Sequence, residues 1–381
     1  MFAIEMLPAA LGDSLWVEYG DPERPSRFLI DGGLVGTYDD IEAKIREVAA
    51  REGGTCRLEL LVLSHVDADH IEGLIKLLGQ KDLPLEIGDL WFNGAHHLPE
   101  PSAARDDEFL GAVQGEFLTA LIQARGLPWN QAFGGDTVFV PRPDKGKLPR
   151  RELPGGMQLT LVSPGFPELL KLSKRWDEEL AKAGLTNASQ EEVLAALAAA
   201  RKYDTDDDFL GEEEFLGVEE LVGLRQRNDG SPANGSSIAF VGSFEGKRCL
   251  FGGDAYWKVL RDNVRRMAQE EGQEKLALQA FKVPHHGSRN NVADELLAAL
   301  DCRRFLVSTN GARFKHPDDE AIARMVGGAW RPDPAQDEEV ELLFNYRTDF
   351  NTGWDDGDLR ETWNYAATYP DAGAEGLRVE L

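Results

Sequence analysis

Residues 60–74, LLVLSHVDADHIEGL, pass from aliphatic side chains into four polar ones within six positions: His65, Asp67, Asp69 and His70. Where a chain turns sharply between a strand and a helix, side chains at i, i+2, i+4 and i+5 can converge on a small volume. Neutral imidazole with carboxylate is a ligand set for Zn²⁺, Mn²⁺ or Fe²⁺, and four such donors can be shared between two ions. The plain alternative is a solvated loop with an Asp capping a helix over 71–79.

Other strand ends carry the same chemistry. FGGDAYW places Asp254 just beyond an apolar strand, FKVPHHGS places His285 and His286 beyond another, and STNGARFKHP places Asn310 and His316 beyond a third. Strand ends on one side of a sheet are where α/β sites assemble. Five of the seven histidines lie at such positions, which favours a metal site over isolated core histidines. His96 and His97, after DLWFNG, read as an exposed loop pair, with a further ligand as the alternative.

The elements that must position these residues follow from periodicity and punctuation. FAIEML and SLWVEYG alternate about a Gly12-Asp13 turn, and RFLIDGG follows a turn through Asp21-Pro22-Glu23. Tyr38, Ile41, Ile45 and Val48 predict a helix over 38–51. RLELLVLS is apolar enough for a strand covered on both faces. LEIGDLWFNG (85–94), MQLTLVS (157–163), SSIAFVGS, KRCLFGGD, LQAFKVPHHGS and RRFLVSTNG predict further strands, and GLRVEL an edge strand. Helices are expected over 106–125, 189–202 (with a Ser189/Glu192 capping box), 257–271 and 292–300. The run 204–220 holds nine acids in seventeen residues, and about 165–230 reads as a helical, acidic insertion. The expected organisation is one α/β domain over 1–330, interrupted by that insertion, with a 331–381 extension packed on it.

The 381 residues are 42% hydrophobic and 28% charged, as in a folded globular protein. No segment has the length or apolarity of a membrane span, and the start lacks the basic region of a signal peptide. Cys56, Cys249 and Cys302 are widely spaced, so reduced thiols and a cytoplasmic location are expected. With 41 basic and 67 acidic residues the net charge is −26, which disfavours non-specific adhesion to nucleic acid or anionic membrane. Bound divalent ions would invert that field locally.

HVDADH resembles the HxHxDH signature of the metallo-β-lactamase fold, with Asp67 where the second histidine usually stands. Together with GDS (12–14), LIDGG (29–33), NGSSI (234–238), GGD (252–254), VPHHGS (283–288) and the later HP (316–317), it is similar to the hydrolase domain of ComEC-type competence proteins and their soluble relatives. The resemblance implies a four-layered αβ/βα sandwich with a dinuclear metal site at one edge, holding two Zn or Mn ions. In it Asp31 buttresses the metal loop, His65 and Asp67 hold one ion, Asp69 and His70 the other, and Asp254 bridges them. His285 would complete the second site, with His286 supporting it or facing substrate. At the third motif position Asn234 stands where family members place a histidine, a departure that favours harder metals such as Mn²⁺.

Two ions about 4 Å apart would acidify water and neutralise charge on the attacked group. Asp69 would orient the nucleophile. His316 and Lys282 are candidates to stabilise developing charge, against the alternatives of a helix start and an outward-facing strand lysine. Ser288 and Asn310 are candidate substrate contacts of the same kind. The resemblance implies a soluble phosphodiesterase or nuclease acting on DNA, and a regulatory protein is a possible partner. Arg289, Arg303, Arg304, Arg313 and Lys315 flank the proposed edge and either neutralise a few phosphates or form a solvated face. A small-molecule hydrolase, of the phosphoryl-choline esterase or lactonase kind, is the alternative.

Overall fold

The computed structural model describes residues 1–99, 111–182 and 217–381. The helix expected over 189–202, most of the acidic run 204–220 and the start of the helix expected over 106–125 lie outside those residues. What is described is a mixed α/β structure built on two large sheets.

The first sheet contains β1 (Phe2–Met6), β2 (Leu15–Asp21), β3 (Arg24–Ile30), β5 (Leu60–Val62) and β7 (Leu90–Trp91). Its antiparallel hairpins are continued by parallel β3, β5 and β7. Alternation along these strands sorts side chains between two cores. Leu15, Val17, Tyr19, Phe28, Ile30, Leu60 and Val62 join one cluster, while Trp16, Leu29 and Leu61 join the other. The second cluster is completed by α1 (Tyr38–Arg51) through Ile41, Ile45 and Val48, and by α2 (Ala68–Gly79) through Ile71, Leu74 and Leu77. The near-continuous apolar strands are therefore buried on both faces, as their composition requires.

The second sheet begins with antiparallel β8 (Arg150–Glu152), β9 (Gln158–Ser163), β10 (Ala239–Phe244) and β11 (Lys247–Phe251). From β11 it runs in parallel through β13 (Ala280–Lys282), β15 (Arg304–Val307), β16 (Val340–Phe344) and β17 (Tyr365–Thr368). The two sheets meet through aromatic contacts: Phe28 lies 6.2 Å from Phe240 and 6.0 Å from Phe251, centroid to centroid. Residues beyond 331 supply β16 and β17 here, and β18 (Leu377–Glu380) pairs with β1 at the edge of the first sheet.

Three elements differ from their sequence prediction. RLELLVLS divides at Glu59: β4 (Cys56–Leu58) pairs with β6 (Leu85–Ile87) in a separate ribbon, and β5 stays in the main sheet. LEIGDLWFNG likewise breaks at Gly88-Asp89, where the Asp89 carboxylate accepts from the backbone N–H groups of Leu90, Gln131 and Ala132. The helix expected over 292–300 is only Asp294–Leu297, because Leu300–Asp301 pairs in parallel with Leu276–Ala277.

Parallel strands share a direction, so the carboxyl ends of β11, β13, β15 and β16 open at one edge. Loops of the first sheet meet them there: Ile238 N–H donates to Ser64 O at 2.9 Å, and Asn310 N–H to Ala10 O at 2.8 Å.

A candidate metal centre

The first sheet supplies one wall. Asp31 leaves β3 with φ of 59°, and its carboxylate accepts from Ser64 N–H and Ser64 Oγ, both at 2.6 Å. Asp67 stands at the N-cap position of α2, so Asp69 and His70 fall in its first turn. That turn is held against the GDS loop so closely that a Cβ on Gly12 would sit 1.7 Å from Asp69 O. Only glycine allows this approach.

The second sheet supplies the other wall. β11 ends in Gly252-Gly253 and delivers Asp254, which is 3% exposed. β13 ends at Lys282, and the following turn places His285 and His286 at φ of 49° and 54°. Two left-handed residues in succession turn their rings apart, with centroids 5.9 Å and planes 75° from each other. Such backbone costs ~1–3 kcal/mol per residue and persists where surrounding structure enforces it.

Each of four imidazoles is held by its Nδ1. His65 Nδ1 faces Ser64 Oγ at 3.0 Å, and since that hydroxyl gives its proton to Asp31, it accepts from the ring. His70 Nδ1 lies 2.8 Å from Asp31 Oδ2. His285 Nδ1 faces Asn291 Oδ1 at 3.0 Å and Asp229 Oδ2 at 3.2 Å. His286 Nδ1 faces Ser308 O at 2.9 Å. Acceptors at Nδ1 fix its proton there and direct the Nε2 lone pair outward, the arrangement that supports metal-binding histidines.

All four Nε2 atoms then face one carboxylate. Asp254 Oδ2 lies 3.7 Å from His65, 3.8 Å from His285 and 3.7 Å from His286, and Oδ1 lies 3.6 Å from His70. These distances are too long for hydrogen bonds. Two donors each about 2.1 Å from one ion stand about 3.4–3.7 Å apart, so the spacing suits ligands around a cation. His65 Nε2 and Asp254 Oδ1 are buried without a hydrogen-bond partner. His70 Nε2 and His286 Nε2 face each other at 3.2 Å, where two lone pairs repel unless a proton or cation lies between them. Four donor groups gather here: His65, His70 and Asp254; Asp69, His70 and His286; Asp13, Asp254 and His286; and Asp13, Asp31 and His70. The residues present therefore fit divalent metal.

The electrostatics agree. Burial pushes the carboxyls of Asp69 and Asp254 up, but the surrounding imidazoles outweigh it and hold both well below the usual range. Burial likewise pushes the imidazoles down, yet neighbouring carboxylates, Asp254 foremost, raise His70 well above its ordinary value, His285 to about 9 and His286 to about 10. The site thus strongly favours positive charge on or between its nitrogens.

The residues expected at the site hold unequal positions. His286 rather than His285 joins Asp69 and His70, because the paired left-handed residues aim His286 inward, 3.4 Å from Asp69 Oδ2, and turn His285 toward Asp229. Asp67 belongs to none of the close donor groups, though its Oδ2 lies 3.6 Å from His65 Nε2. Lys282 is fully buried rather than outward-facing, with Nζ 2.7 Å from Asp13 Oδ2. That ammonium, against the cost of burial, holds the Asp13 carboxyl down at about 2. Ser288 is buried and its Oγ accepts from Asn290 N–H, while Asn310 Oδ1 accepts from Ala312 N–H, so the polar atoms of both serve their own loops. Asn234 donates to Asp229 and supports His285. His316 lies at the rim, its ring 5.3 Å from that of His285. His96 and His97 pack on Trp129, and His97 Nε2 faces Gly135 O, with burial pushing its imidazole down to about 4. Arg303 and Arg304 stand at the start of β15, the end away from the centre, paired with Asp337 and Glu341.

Asp13, Asp229 and Asn291 were not assigned from sequence. GDS reads as a turn and as one of the resembling motifs without a role for Asp13, and the other two lie in NDG and SRNN segments whose contacts depend on the fold. Cys56, Cys249 and Cys302 are buried free thiols. No helix among the described residues is long and apolar enough to cross a membrane.

No family model matches the chain, and no curated protein does. Among solved structures, a CmlA beta-hydroxylase mutant is similar over the whole chain at 14% identity and a TM-score of 0.37. The chain spans about half the length of that protein, 54%. A likeness this distant assigns neither fold family nor chemistry.

Proposed function

We propose that this chain is a metal-dependent hydrolase of metallo-β-lactamase-like, four-layered architecture, acting on phosphodiesters. The observation that supports it best is the set of four imidazoles, each held at Nδ1 and each presenting Nε2 to Asp254. In this reading His65, His285 and Asp254 hold one ion, with Asp67 beside them, and Asp69, His70, His286 and Asp254 hold the second. When bound, two divalent ions would supply an acidified water and charge neutralisation on the attacked group.

The chain's own residues do the rest. Asp31 fixes the orientation of His70, and Asp229 with Asn291 fixes His285. Asp69 orients an attacking water by accepting its hydrogen bond at the carboxylate oxygen not directed at His286. His316, at the rim, donates to the leaving oxygen. The order of the HVDADH, GGD and VPHHGS motifs supports hydrolysis, and the ComEC-like resemblance supports DNA as substrate. The net charge of −26 favours a second reading, a small-molecule ester or lactone.

The test is hydrolysis of single-stranded, linear and supercoiled DNA, and of small chromogenic phosphodiesters and esters, with Mn²⁺, Zn²⁺, Mg²⁺ or EDTA. Metal-dependent cleavage of phosphodiesters that vanishes in Asp69→Ala supports the proposal. Turnover confined to carboxylic esters or lactones selects the second reading, and no turnover with metal bound overturns both.

A further inference from the structure

A cavity of about 670 Å³ is lined by Leu224, Arg225, Arg227, Arg289, Glu320 and Arg324 among others. Small-molecule sites occupy roughly 300–1,000 Å³. Four arginines and one glutamate line it, in a protein whose net charge is −26, with Asp294 and Asp318 also near Arg324. Clustering arginines costs mutual repulsion, and Glu320 is already engaged by Arg289 at 2.8 Å. Arg324 is 3% exposed, and it spends Nη1 on the carbonyls of Arg289 and Val292, which fixes its guanidinium in the wall. Arg225 and Arg227 are exposed on the opposite segment.

Two walls are shared with the centre. The turn that carries His285 and His286 continues three residues later into Arg289. The segment that carries Arg225 and Arg227 continues into Asp229, which holds His285 Nδ1 at 3.2 Å. Gln226 Nε2 ties the walls together by donating to Arg289 O at 2.8 Å and to Arg227 O at 2.7 Å. The cavity is therefore joined to the His285 side of the centre through both of these segments.

We infer that this cavity is an anion site for phosphate, the group whose charge and several oxygens match multiple planar guanidinium donors. A single carboxylate would leave most of the positive charge uncompensated. As a substrate subsite this rests on the metal-centre reading, and a phosphate beside the scissile one would then be gripped here. As an anion site it stands without that reading.

The experiment is calorimetric titration of the full-length, chelator-treated protein with inorganic pyrophosphate, so that no metal mediates binding. The wild type is expected to bind one pyrophosphate, with affinity falling as salt is raised. Arg225→Ala/Arg227→Ala is expected to weaken binding tenfold or more, and the double lysine variant to recover part of it. Metal stoichiometry measured separately should be unchanged in both variants. No binding at millimolar pyrophosphate, or equal affinity in wild type and the alanine variant, overturns the inference. A thymidine oligonucleotide that displaces pyrophosphate would show that the phosphate arrives on a strand; tripolyphosphate alone displacing it would show a free oligophosphate. Intact pyrophosphate binding with no metal uptake would remove the metal reading and leave the anion site standing.

Discussion

Two buried polar clusters in this molecule are built in opposite ways. Around Arg331, whose side chain is fully buried, the guanidinium donates to the carbonyls of Val326, Pro334, Glu338, Trp363 and Asn364 and lies 3.3 Å from Asp337. Every donor is met, so the cluster is complete as protein. Around Asp254, four imidazoles are fixed from behind and stand 3.6–3.8 Å from the carboxylate between them, with His70 Nε2 and His286 Nε2 3.2 Å apart. Buried polar groups are normally satisfied. Here His65 Nε2 and Asp254 Oδ1 are buried without a partner, inside imidazoles fixed from behind, an arrangement that suits a cation rather than more protein.

The comparison breaks most visibly at Arg331. Arg331→Ala strands several buried carbonyls and the Asp337 charge, and is expected to cost about 3–5 kcal/mol of stability, read as a lower urea midpoint. Metal content of the folded fraction should not change. Asp254→Asn acts in the converse way: the fold stays, and metal affinity measured by competition with a chromogenic chelator falls at least about 100-fold, roughly 2.7 kcal/mol.

Asp31→Asn sharpens the same contrast from behind. It weakens the partner of His70 Nδ1 without removing any donor to the ion, and the expected loss in metal affinity is about 10–100-fold. The pH response is subtler. Neighbouring carboxylates raise His285 to about 9 and His286 to about 10 from an ordinary value of 6.5. Their contribution to stability in metal-free protein is therefore complete below about pH 6.5 and is lost as pH rises through about 9 to 10. Thermal melts of metal-free protein should fall across that window. With Mn²⁺ present the fall should disappear, because the ion replaces those protons, and proton release should accompany binding.

Much of this arrangement is legible in sequence because it depends on local pattern. The helix over 38–51 has the bounds its periodicity predicts, and alternation in LWVEYG and RFLI sorts side chains between the two cores. HVDADH, GGD and VPHHGS place donors at strand ends, where the structure gathers them. What was not legible depends on longer-range geometry. Choosing His286 over His285 for the group with Asp69 requires knowing that both adopt left-handed backbone. Lys282 and Asp13 are 269 positions apart and meet only when β13 ends beside the GDS loop. Arg303 and Arg304 were judged by nearness in sequence, whereas strand direction sends them to the far edge.

The most direct test of the central claim is metal stoichiometry: equilibrium dialysis of purified protein against Mn²⁺ or Zn²⁺, followed by elemental analysis, with Asp254→Asn in parallel. The account predicts two tightly held ions per chain in the wild type and a marked loss in the variant. Failure of the wild type to retain stoichiometric metal, or equal retention in the variant, would contradict it.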